Sequence, residues 1–415
     1  MRSVCVMGLG YIGLPTASIL ASNGCRVLGV DVDPRVVDTV NRGDIHIEEP
    51  GLHTLVQAAI QSGNLRASLT VEPCEVYIIA VPTPLTADRH ADLSYVCRAA
   101  EQIAPALQAG ALVILESTSP PGTTRDKLRP ILEAGSGLKA GADFTLAHCP
   151  ERVMPGRILR ELIENDRVVG GIDPASAEAA RALYATFVAG SIFLTDATTA
   201  EMVKVIENTY RDVNIALANE AALLCEGLGI DFAQVGKLAN RHPRVHLHQP
   251  GPGVGGHCIS VDPWFLVDAF PEGTPLIRTA RLRNDAMPAH VVAQVQAWLQ
   301  GVAKPKAALL GAAFKGNVDD IRESPAIHVA ELLQSAGVQV AVHDPHVPSI
   351  SAPLEECLKD ADVVILLTDH AAYRNIDPKA SATLMRARRL YDTRAFLDHA
   401  SWQAAGFEVK ILGAG

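Results

Sequence analysis

The sequence contains eight cysteines but no C-x-x-C pair. Several cysteines fall inside apolar runs, which favours reduced thiols in the cytoplasm over a disulfide framework or a zinc cage. The sequence also lacks an apolar run of the roughly 20 residues that a membrane span requires. The glycines near the N-terminus fall at regular offsets, so we interpret this stretch as mature protein without a targeting segment.

Positive charge is in deficit, since 36 Lys and Arg residues against 46 Asp and Glu residues give a net charge of −10. This balance argues against nucleic acid or an anionic membrane as the main partner, so an anionic ligand would need a local basic site. A chain of 415 residues is too long for one core and predicts two or three domains.

A glycine-rich turn follows the first predicted strand, residues 3–8, and leads into a helix. The turn reads Gly8-Leu9-Gly10-Tyr11-Ile12-Gly13, a G-x-G-x-x-G pattern in which the second glycine admits a pyrophosphate and the third lets the helix pack on the strand. The next strand ends in Asp31, where a carboxylate would accept hydrogen bonds from an adenosine ribose. The pattern predicts NAD binding, although Arg35 leaves NADP open as an alternative.

Apolar strands alternate with helical stretches over the first 150 residues, which predicts a doubly wound parallel sheet. Ligands bind such sheets beyond the carboxyl ends of the strands, where Thr83, Thr118 and Glu151 fall. Ordinary turn chemistry is the alternative for each threonine. A second Rossmann-like unit is predicted after residue 303; it lacks the G-x-G-x-x-G turn, so we expect it to bind something other than the dinucleotide phosphates.

One long helix is predicted from Thr198 to about Gly227, well above the mean helix length of about 11–12 residues. Its Lys204, Asn208 and Arg211 have i, i+4, i+7 spacing and share one face, for which a solvated polar face is the ordinary explanation. We expect the helix to form a spine between two domains. A later helical segment, residues 275–301, is predicted to break near Pro288.

Residues 251–265 form a glycine-dense loop that contains Cys258 and Asp262. Its four glycines give the backbone access to positive φ and close approach to a ligand, and cysteine is the strongest nucleophile among the ordinary side chains. A surface turn with a buried, inert cysteine is the alternative. The preceding loop holds three histidines whose spacing matches no familiar metal set, whereas its Arg241 and Arg244 suit a phosphate or pyrophosphate.

An NAD site, an anion site and a cysteine loop together suggest an oxidation that proceeds beyond an aldehyde. A thiolate adds to the aldehyde to form a thiohemiacetal, which loses a hydride and leaves a thioester for water to hydrolyse. We expect Lys204 and Asn208 to stabilise the oxyanion, Asp262 to assist proton movement and Glu151 to activate the water.

Three other functions are weighed against this one. A single-step β-hydroxyacid dehydrogenase would need neither Cys258 nor a second nucleotide domain. A sugar epimerase is disfavoured because the chain has no Tyr-x-x-x-Lys sequence. A non-catalytic NAD-sensing module would leave Lys204, Asn208 and Cys258 without a purpose.

Motifs along essentially the whole chain resemble the UDP-sugar and GDP-sugar dehydrogenases in order and spacing. They are the glycine turn at 8–13, Val81-Pro82-Thr83-Pro84, Cys149-Pro150-Glu151-Arg152, Glu201-Met202-Val203-Lys204 with Glu207-Asn208, Gly255-Gly256-His257-Cys258, and Ala313-Phe314-Lys315-Gly316 with residues 319–325. The resemblance implies an α/β fold with two Rossmann-like parallel-sheet domains, an NAD-binding domain at 1–197 and a UDP-sugar-binding domain at 303–415. A long helix and a helical dimerisation region with the cysteine loop, residues 198–302, would join them.

The resemblance also implies roles for individual residues in the four-electron oxidation of a sugar C6 hydroxyl to a carboxylate. Cys258 would be the nucleophile, and His242 and Arg244 would reach into a neighbouring subunit's site. The NAD contacts would be Gly8, Gly10, Tyr11, Ile12, Gly13, Asp31, Arg35, Thr83, Thr118 and Arg322. The sugar-nucleotide contacts would be Arg152, Val153, Lys204, Asn208, Arg211, Gly255, Phe314, Lys315 and Arg394.

The cysteine loop departs from the family's UDP-glucose branch, which usually reads Gly-Gly-Ser-Cys-Phe-Pro-Lys-Asp. Residues 255–262 read Gly-Gly-His-Cys-Ile-Ser-Val-Asp and lack that lysine, which points to the branch that acts on UDP-N-acetylhexosamines. Within it, residues 239–245, 249–254 and 262–265 most resemble enzymes that act on UDP-N-acetyl-D-mannosamine. A UDP-N-acetylglucosamine 6-dehydrogenase is the alternative, because the two sugars differ only in configuration at C2.

Overall fold

The computed structural model describes residues 2–415 and separates into two compact units. The first unit comprises the chain as far as Glu207 together with Trp264–Phe270, and the second comprises Asn208–Pro263 and Pro271–Gly415. Each unit is therefore built from two stretches of chain. The three-part division at residues 197 and 302 remains a prediction.

The strands and helices alternate along most of the chain. The strands are β1 (Ser3–Met7), β2 (Arg26–Val30), β3 (Leu65–Ser68), β4 (Val76–Ile79), β5 (Leu112–Leu115), β6 (Thr145–His148), β7 (Arg167–Gly171), β8 (Ile192–Asp196), β9 (Lys306–Leu310), β10 (Gln339–His343), β11 (Val363–Leu366), β12 (Arg389–Asp392) and β13 (Glu408–Ile411). The helices are α1 (Gly13–Ser22), α2 (Pro34–Asn41), α3 (Leu52–Gln61), α4 (Ser94–Ile103), α5 (Arg129–Ser136), α6 (Ile158–Glu164), α7 (Pro174–Tyr184), α8 (Ala197–Leu228), α9 (Phe232–Ala239), α10 (Asp262–Ala269), α11 (Pro275–Leu299), α12 (Pro325–Ser335), α13 (Leu354–Leu358), α14 (Pro378–Leu384) and α15 (His399–Ala404).

The first unit is organised around an eight-stranded sheet in the order β3-β2-β1-β4-β5-β6-β7-β8. Strands β4 and β5 are wholly buried and apolar, as expected for a sheet with both faces covered. Every neighbouring pair is parallel except β6 and β7, which pair antiparallel through Ala147 with Gly171 and His148 with Gly170. The predicted doubly wound α/β fold is confirmed, with this one exception.

Strands β7 and β8 were not identified in the sequence. Strand β7 ends in Gly170 and Gly171, and glycine is depleted in strands. A Cβ on Gly170 would lie 2.4 Å from the Asp196 carbonyl oxygen, and one on Gly171 would lie 2.3 Å from the Asp173 carbonyl oxygen. Close backbone packing therefore requires both glycines. Because glycine has a low strand propensity, their presence prevents the strand from being predicted from sequence.

The second unit contains a five-stranded parallel sheet in the order β10-β9-β11-β12-β13. One face contributes Leu309, Ile365 and Tyr391 to an apolar cluster with α11 and α12. The opposite face contributes Leu310 and Leu366 to a second cluster that includes Trp402. The predicted second Rossmann-like unit is confirmed.

Helix α8 spans 32 residues and confirms the long helix predicted from Thr198. Its first turns are fastened within the first unit by Glu201, a buried carboxyl group. The Oε2 atom accepts a hydrogen bond from the Gly122 backbone N–H at 2.5 Å, and Oε1 accepts from the Thr124 N–H at 2.7 Å and its hydroxyl at 2.6 Å. Burial raises the pKa of Glu201 to about 7.

Helix α11 runs unbroken from Pro275 to Leu299, so the predicted break near Pro288 is wrong. Proline removes one backbone hydrogen bond from a helix interior and usually kinks the helix. Here Val291, Val295 and Leu299 continue the buried face beyond Pro288 into the core of the second unit. Tertiary packing of the apolar face outweighs the lost hydrogen bond, as is common for helices in proteins. No helix within residues 2–415 is long and apolar enough to cross a membrane.

Candidate active site

The glycine turn of the first unit has the local geometry that a dinucleotide requires. Gly8 lies in the left-handed region at φ +88°, and a Cβ on Gly13 would fall 1.8 Å from the Gly8 carbonyl oxygen. A Cβ on Gly10 would meet no atom within 4 Å, so the backbone there is open to a ligand. Helix α1 begins at Gly13, and the N–H groups at a helix N-terminus favour a phosphate.

Asp31 follows β2 and is fixed to the glycine turn by its carboxylate. Its Oδ2 accepts a hydrogen bond from the Leu9 N–H at 2.8 Å, and Oδ1 accepts from the Asp33 N–H at 3.0 Å. Each oxygen keeps a further lone pair for a ribose hydroxyl. The exposed Arg35 pairs with Asp33 at 2.8 Å, so a carboxylate already balances its charge, which disfavours the extra phosphate of NADP.

Thr83 and Thr118 lie beyond the carboxyl ends of the neighbouring strands β4 and β5. The Thr83 hydroxyl donates a hydrogen bond to the Thr118 carbonyl oxygen at 2.7 Å. The two predicted residues are therefore in contact at the edge where parallel α/β sheets bind ligands. Tyr11 and Ile12 belong to the adjacent turn between β1 and α1.

Glu151 lies just after β6 and is buried. Its Oε1 accepts a hydrogen bond from the Arg152 N–H at 2.6 Å, and its Oε2 lies 3.2 Å from Nη1 of Arg167. Arg152 pairs with Glu207 at 2.9 Å, and Val153 packs against the core of the first unit. Sequence reasoning missed Arg167, although a charged residue that opens an otherwise apolar strand is a signal of a buried ion pair.

The cysteine loop of the second unit depends on its glycines. Gly253 and Gly256 adopt φ of +138° and +83°. A Cβ on Gly255 would lie 2.7 Å from Cβ of Phe314, and the Gly256 N–H donates to the Arg322 carbonyl oxygen at 2.9 Å. The loop therefore packs against the segment that carries Phe314, Lys315 and Arg322.

The start of the same loop is fixed by two polar side chains of the second unit. The Gly251 N–H donates a hydrogen bond to Oδ1 of the buried Asn219 at 2.9 Å. A Cβ on Gly251 would lie 2.4 Å from Nη1 of Arg394, whose other terminal nitrogen is 3.4 Å from Asp369. Any larger residue at position 251 would therefore displace the Arg394 guanidinium from its present position.

Cys258 is half-buried and begins the turn that leads into α10. Its carbonyl oxygen accepts hydrogen bonds from the N–H groups of Val261 at 3.1 Å and Asp262 at 2.8 Å. Asp262 is 3% exposed, and its Oδ2 accepts a hydrogen bond from Nδ2 of Asn208 at 2.5 Å. Arg211 donates in turn to Oδ1 of Asn208. Three of the predicted residues thus form one hydrogen-bonded series, which we call the Arg211–Asn208–Asp262 series.

The remaining predicted residues are placed as follows. Lys204 is half-buried on α8, and it belongs with Glu151 to the first unit, whereas Cys258 belongs to the second. His242 and Arg244 are exposed in the loop after α9. The exposed His257 ring has its Nδ1 4.0 Å from Oδ2 of Asp320. Within residues 2–415, no group of three or more His, Cys, Asp or Glu side chains is arranged to hold a metal ion.

Comparison with known proteins assigns the family. Residues 2–188 match the NAD binding domain of the UDP-glucose/GDP-mannose dehydrogenase family, residues 198–286 match its central domain, and residues 308–399 match its UDP binding domain. The chain belongs to this family. Its cofactor is NAD, and it is an NAD-dependent nucleotide-sugar dehydrogenase.

Similar proteins align over nearly the whole chain. A UDP-N-acetyl-D-mannosamine dehydrogenase of Methanococcus maripaludis is 46% identical over 100% of this chain and 98% of its own length. An NDP-N-acetyl-D-galactosaminuronic acid dehydrogenase of Ralstonia nicotianae is 48% identical over 95% of this chain and 96% of its own. The solved UDP-D-ManNAc dehydrogenase of Pyrococcus horikoshii superposes with a TM-score of 0.94 at 42% identity, covering 100% of this chain and 99% of that one.

Proposed function

We propose that the protein oxidises the C6 hydroxyl of UDP-N-acetyl-D-mannosamine to a carboxylate in a four-electron reaction that proceeds through covalent attachment to Cys258. The observation that carries this proposal is the Arg211–Asn208–Asp262 series, which the Asp262 N–H joins to the Cys258 carbonyl oxygen. A half-buried thiol in a glycine loop, with its backbone bonded to that of a residue that carries a buried carboxylate, suits aldehyde oxidation. Alcohol oxidation alone would not need the thiol.

NAD held at the glycine turn of the first unit would accept one hydride in each of the two oxidations, so two NAD would be reduced per sugar nucleotide. In the first, Asp262 assists removal of the C6 hydroxyl proton, and the product is the aldehyde. The Cys258 thiolate then forms a C–S bond with the aldehyde carbon, and the carbonyl π electrons move to oxygen. Asn208 offers this oxyanion its second N–H, since an amide has two donors and only one is bonded to Asp262. The Lys204 ammonium is the other proposed donor.

Loss of hydride from the thiohemiacetal leaves a thioester on Cys258, which water must hydrolyse. Glu151 takes one proton from the water as its oxygen bonds to the acyl carbon. The C–S bond then breaks, and its electron pair returns to the sulfur as thiolate. One water is consumed, and the product is a carboxylate.

The choice of sugar rests on the loop sequence and the relatives. Residues 255–262 lack the lysine of the UDP-glucose branch, and two similar proteins are named for UDP-N-acetyl-D-mannosamine. The Ralstonia relative, named for an N-acetyl-D-galactosaminuronic acid, shows that comparable identity accompanies a different hexosamine. UDP-N-acetylglucosamine remains the second candidate.

Stoichiometry and initial rates test the proposal together. We expect two NADH per sugar nucleotide consumed, an acidic product and no free aldehyde. One NADH at completion would contradict the four-electron reaction and favour a single-step dehydrogenase. Among UDP-N-acetylmannosamine, UDP-N-acetylglucosamine and UDP-N-acetylgalactosamine, the first should give the highest kcat/KM. A higher value for either other sugar would overturn the choice of sugar and leave the chemistry standing.

We further propose that the protein is a homodimer in which α8 contributes to the interface. Tyr210, Leu217, Leu224 and Leu228 follow helical spacing and are 60%, 53%, 61% and 72% exposed. An apolar stripe of this kind marks an interaction surface. We expect light scattering to give twice the 44.1 kDa chain mass and Leu217→Asp with Leu224→Asp to give monomers. A monomeric native mass would contradict this.

We also propose a cytoplasmic location and a role for the acidic sugar in polysaccharide synthesis. Cysteine usage supports the location, because all eight cysteines are free and such thiols are typical of reducing compartments. The family resemblance supports the role in polysaccharide synthesis.

A further inference from the structure

Arg167 opens β7 from within the core of the first unit, next to Glu151. Its Nη1 lies 3.2 Å from Oε2 of Glu151 and 3.7 Å from the sulfur of Cys149, and its Nη2 donates to the Leu162 carbonyl oxygen at 3.3 Å. Side-chain exposure is 5% for Arg167 and 9% for Glu151. Removal of one partner from such a buried ion pair strongly destabilises a protein, because the other charge is left without compensation.

Aromatic side chains hold the guanidinium of Arg167 in place. Its central carbon lies 4.8 Å from the ring centroid of Tyr184 and 5.8 Å from that of Phe187. The cavity lined in part by Glu151 and Arg167 has a volume of about 10 Å³, room for about one water molecule. Contacts with protein atoms, rather than with bulk water, therefore fix the position of the Arg167 guanidinium.

The two oxygens of Glu151 are used differently. The Oε1 atom accepts the Arg152 N–H, which fixes the carboxylate plane. The Oε2 atom forms the ion pair with Arg167, but its geometry is not that of a hydrogen bond. A general base must be ionised, oriented and able to accept a proton. Arg167 supplies charge to Oε2 without occupying it as a hydrogen-bond donor.

Glu116 competes with Glu151 for the single charge of Arg167. It is buried, and the Tyr184 hydroxyl donates a hydrogen bond to its Oε1 at 2.6 Å. Burial raises the pKa of Glu116 to about 7, against the opposing influence of Arg167. Below neutral pH the protonated form of Glu116 therefore predominates, and Arg167 then chiefly balances Glu151.

We propose that Arg167 is a positioning residue for thioester hydrolysis, which holds the Glu151 carboxylate oriented to take a proton from water. In this step the water oxygen bonds to the acyl carbon, one proton passes to Glu151, and the C–S electron pair returns to Cys258. Arg167 acts after both oxidations, so its loss affects hydrolysis selectively. The inference rests on the proposed roles of Glu151 and Cys258.

Rapid mixing of Arg167→Met with NAD and UDP-N-acetylmannosamine tests this inference, with Glu151→Gln as the reference. We expect a burst of two NADH per site at the wild-type rate, followed by turnover slowed by about 10-fold or more, since a general base contributes about 10²–10⁴-fold. Intact-protein mass spectrometry should show the acyl group accumulating on Cys258. Arg167→Lys, which keeps the charge but not the planar fork, should recover part of the rate.

Rescue by a conservative variant separates positioning from general structural support. Arg167→Lys restores a cation beside Glu151, whereas Arg167→Met leaves the buried carboxylate without its partner. A hydrolysis rate in Arg167→Lys no higher than in Arg167→Met would overturn the inference.

Tyr184→Phe is the matched control, because it disturbs the same buried cluster on the side of Glu116. The Tyr184 hydroxyl favours ionised Glu116, so its loss raises the pKa of Glu116 further, and hydrolysis should keep its rate per competent site. The NADH burst amplitude counts competent sites and corrects for partial unfolding. Equal slowing of burst and turnover in Arg167→Met, or unchanged turnover, would overturn the inference. A Glu151→Gln variant without an acyl group on Cys258 would instead contradict the proposed function itself.

Discussion

Replacement of Cys258 by alanine is expected to reduce acid formation by on the order of 10⁴- to 10⁶-fold, the scale on which loss of a nucleophile is felt in covalent enzymes. Without the thiol, neither the thiohemiacetal nor the thioester forms. The turn itself should persist, because its hydrogen bonds from Val261 and Asp262 to the Cys258 carbonyl oxygen use backbone atoms that alanine retains. NAD binding is assigned to the first unit, so its Kd should change by less than about twofold. This is far less than a tenfold change, which corresponds to about 1.4 kcal/mol.

Product analysis by mass spectrometry and NAD titration by fluorescence measure the two effects separately. Cys97→Ala is the matched control, since Cys97 is also a half-buried free thiol and lies on α4 in the first unit. This variant should form acid at the wild-type rate. Unchanged turnover in Cys258→Ala would exclude the thiol from the mechanism.

Replacement of Asp262 by alanine is expected to lower kcat by about 10²- to 10⁴-fold, the usual contribution of a general base. The variant also leaves Nδ2 of the buried Asn208 without its carboxylate partner, which costs about 1–3 kcal/mol in the free energy of unfolding. Asp262→Asn separates the two effects, because an amide can still bond to Asn208 but cannot take up a proton. We expect Asp262→Asn to recover stability and to remain nearly inactive.

Asp268→Ala is the control for Asp262, since both residues lie on α10. Asp268 contacts His90 and the Ala91 N–H within the first unit. Its removal should lower thermal stability and leave kcat near the wild-type value. Steady-state rates and thermal melts of the three variants distinguish catalysis from stability. Wild-type turnover in Asp262→Ala would remove this carboxylate from the mechanism.

The parts of the fold that depend on local chemistry could be predicted from the sequence. The G-x-G-x-x-G turn and Asp31 lie within 25 residues, and their geometry follows from glycine conformation and strand-helix alternation. The long helix was predicted for the same reason, as its pattern continues without a break. The antiparallel β6–β7 pair and the continuous α11 could not be predicted, because packing against distant residues decides both.

In the candidate site, too, individual residues could be predicted from the sequence, whereas contacts between distant residues could not. Asn208 and Asp262 were singled out one at a time, but their hydrogen bond joins residues 54 positions apart and is visible only in the structure. Arg167 was missed because nothing near it in the sequence resembles a catalytic motif. Its relevance arises from Glu151, 16 positions earlier, which β6 and β7 bring beside it.

Trp264–Phe270 belongs to the first unit, so that unit cannot be completed until the ribosome has translated the residues of the second unit that precede it. In the folded first unit, Trp264 lies against Arg89 with 4.4 Å between guanidinium carbon and ring centroid, and Phe265 is wholly buried. A ribosome that makes about 5–20 residues per second needs roughly 3–11 s to translate the intervening residues 208–263. During that interval the nascent first unit leaves exposed the apolar surface that Phe265 later covers.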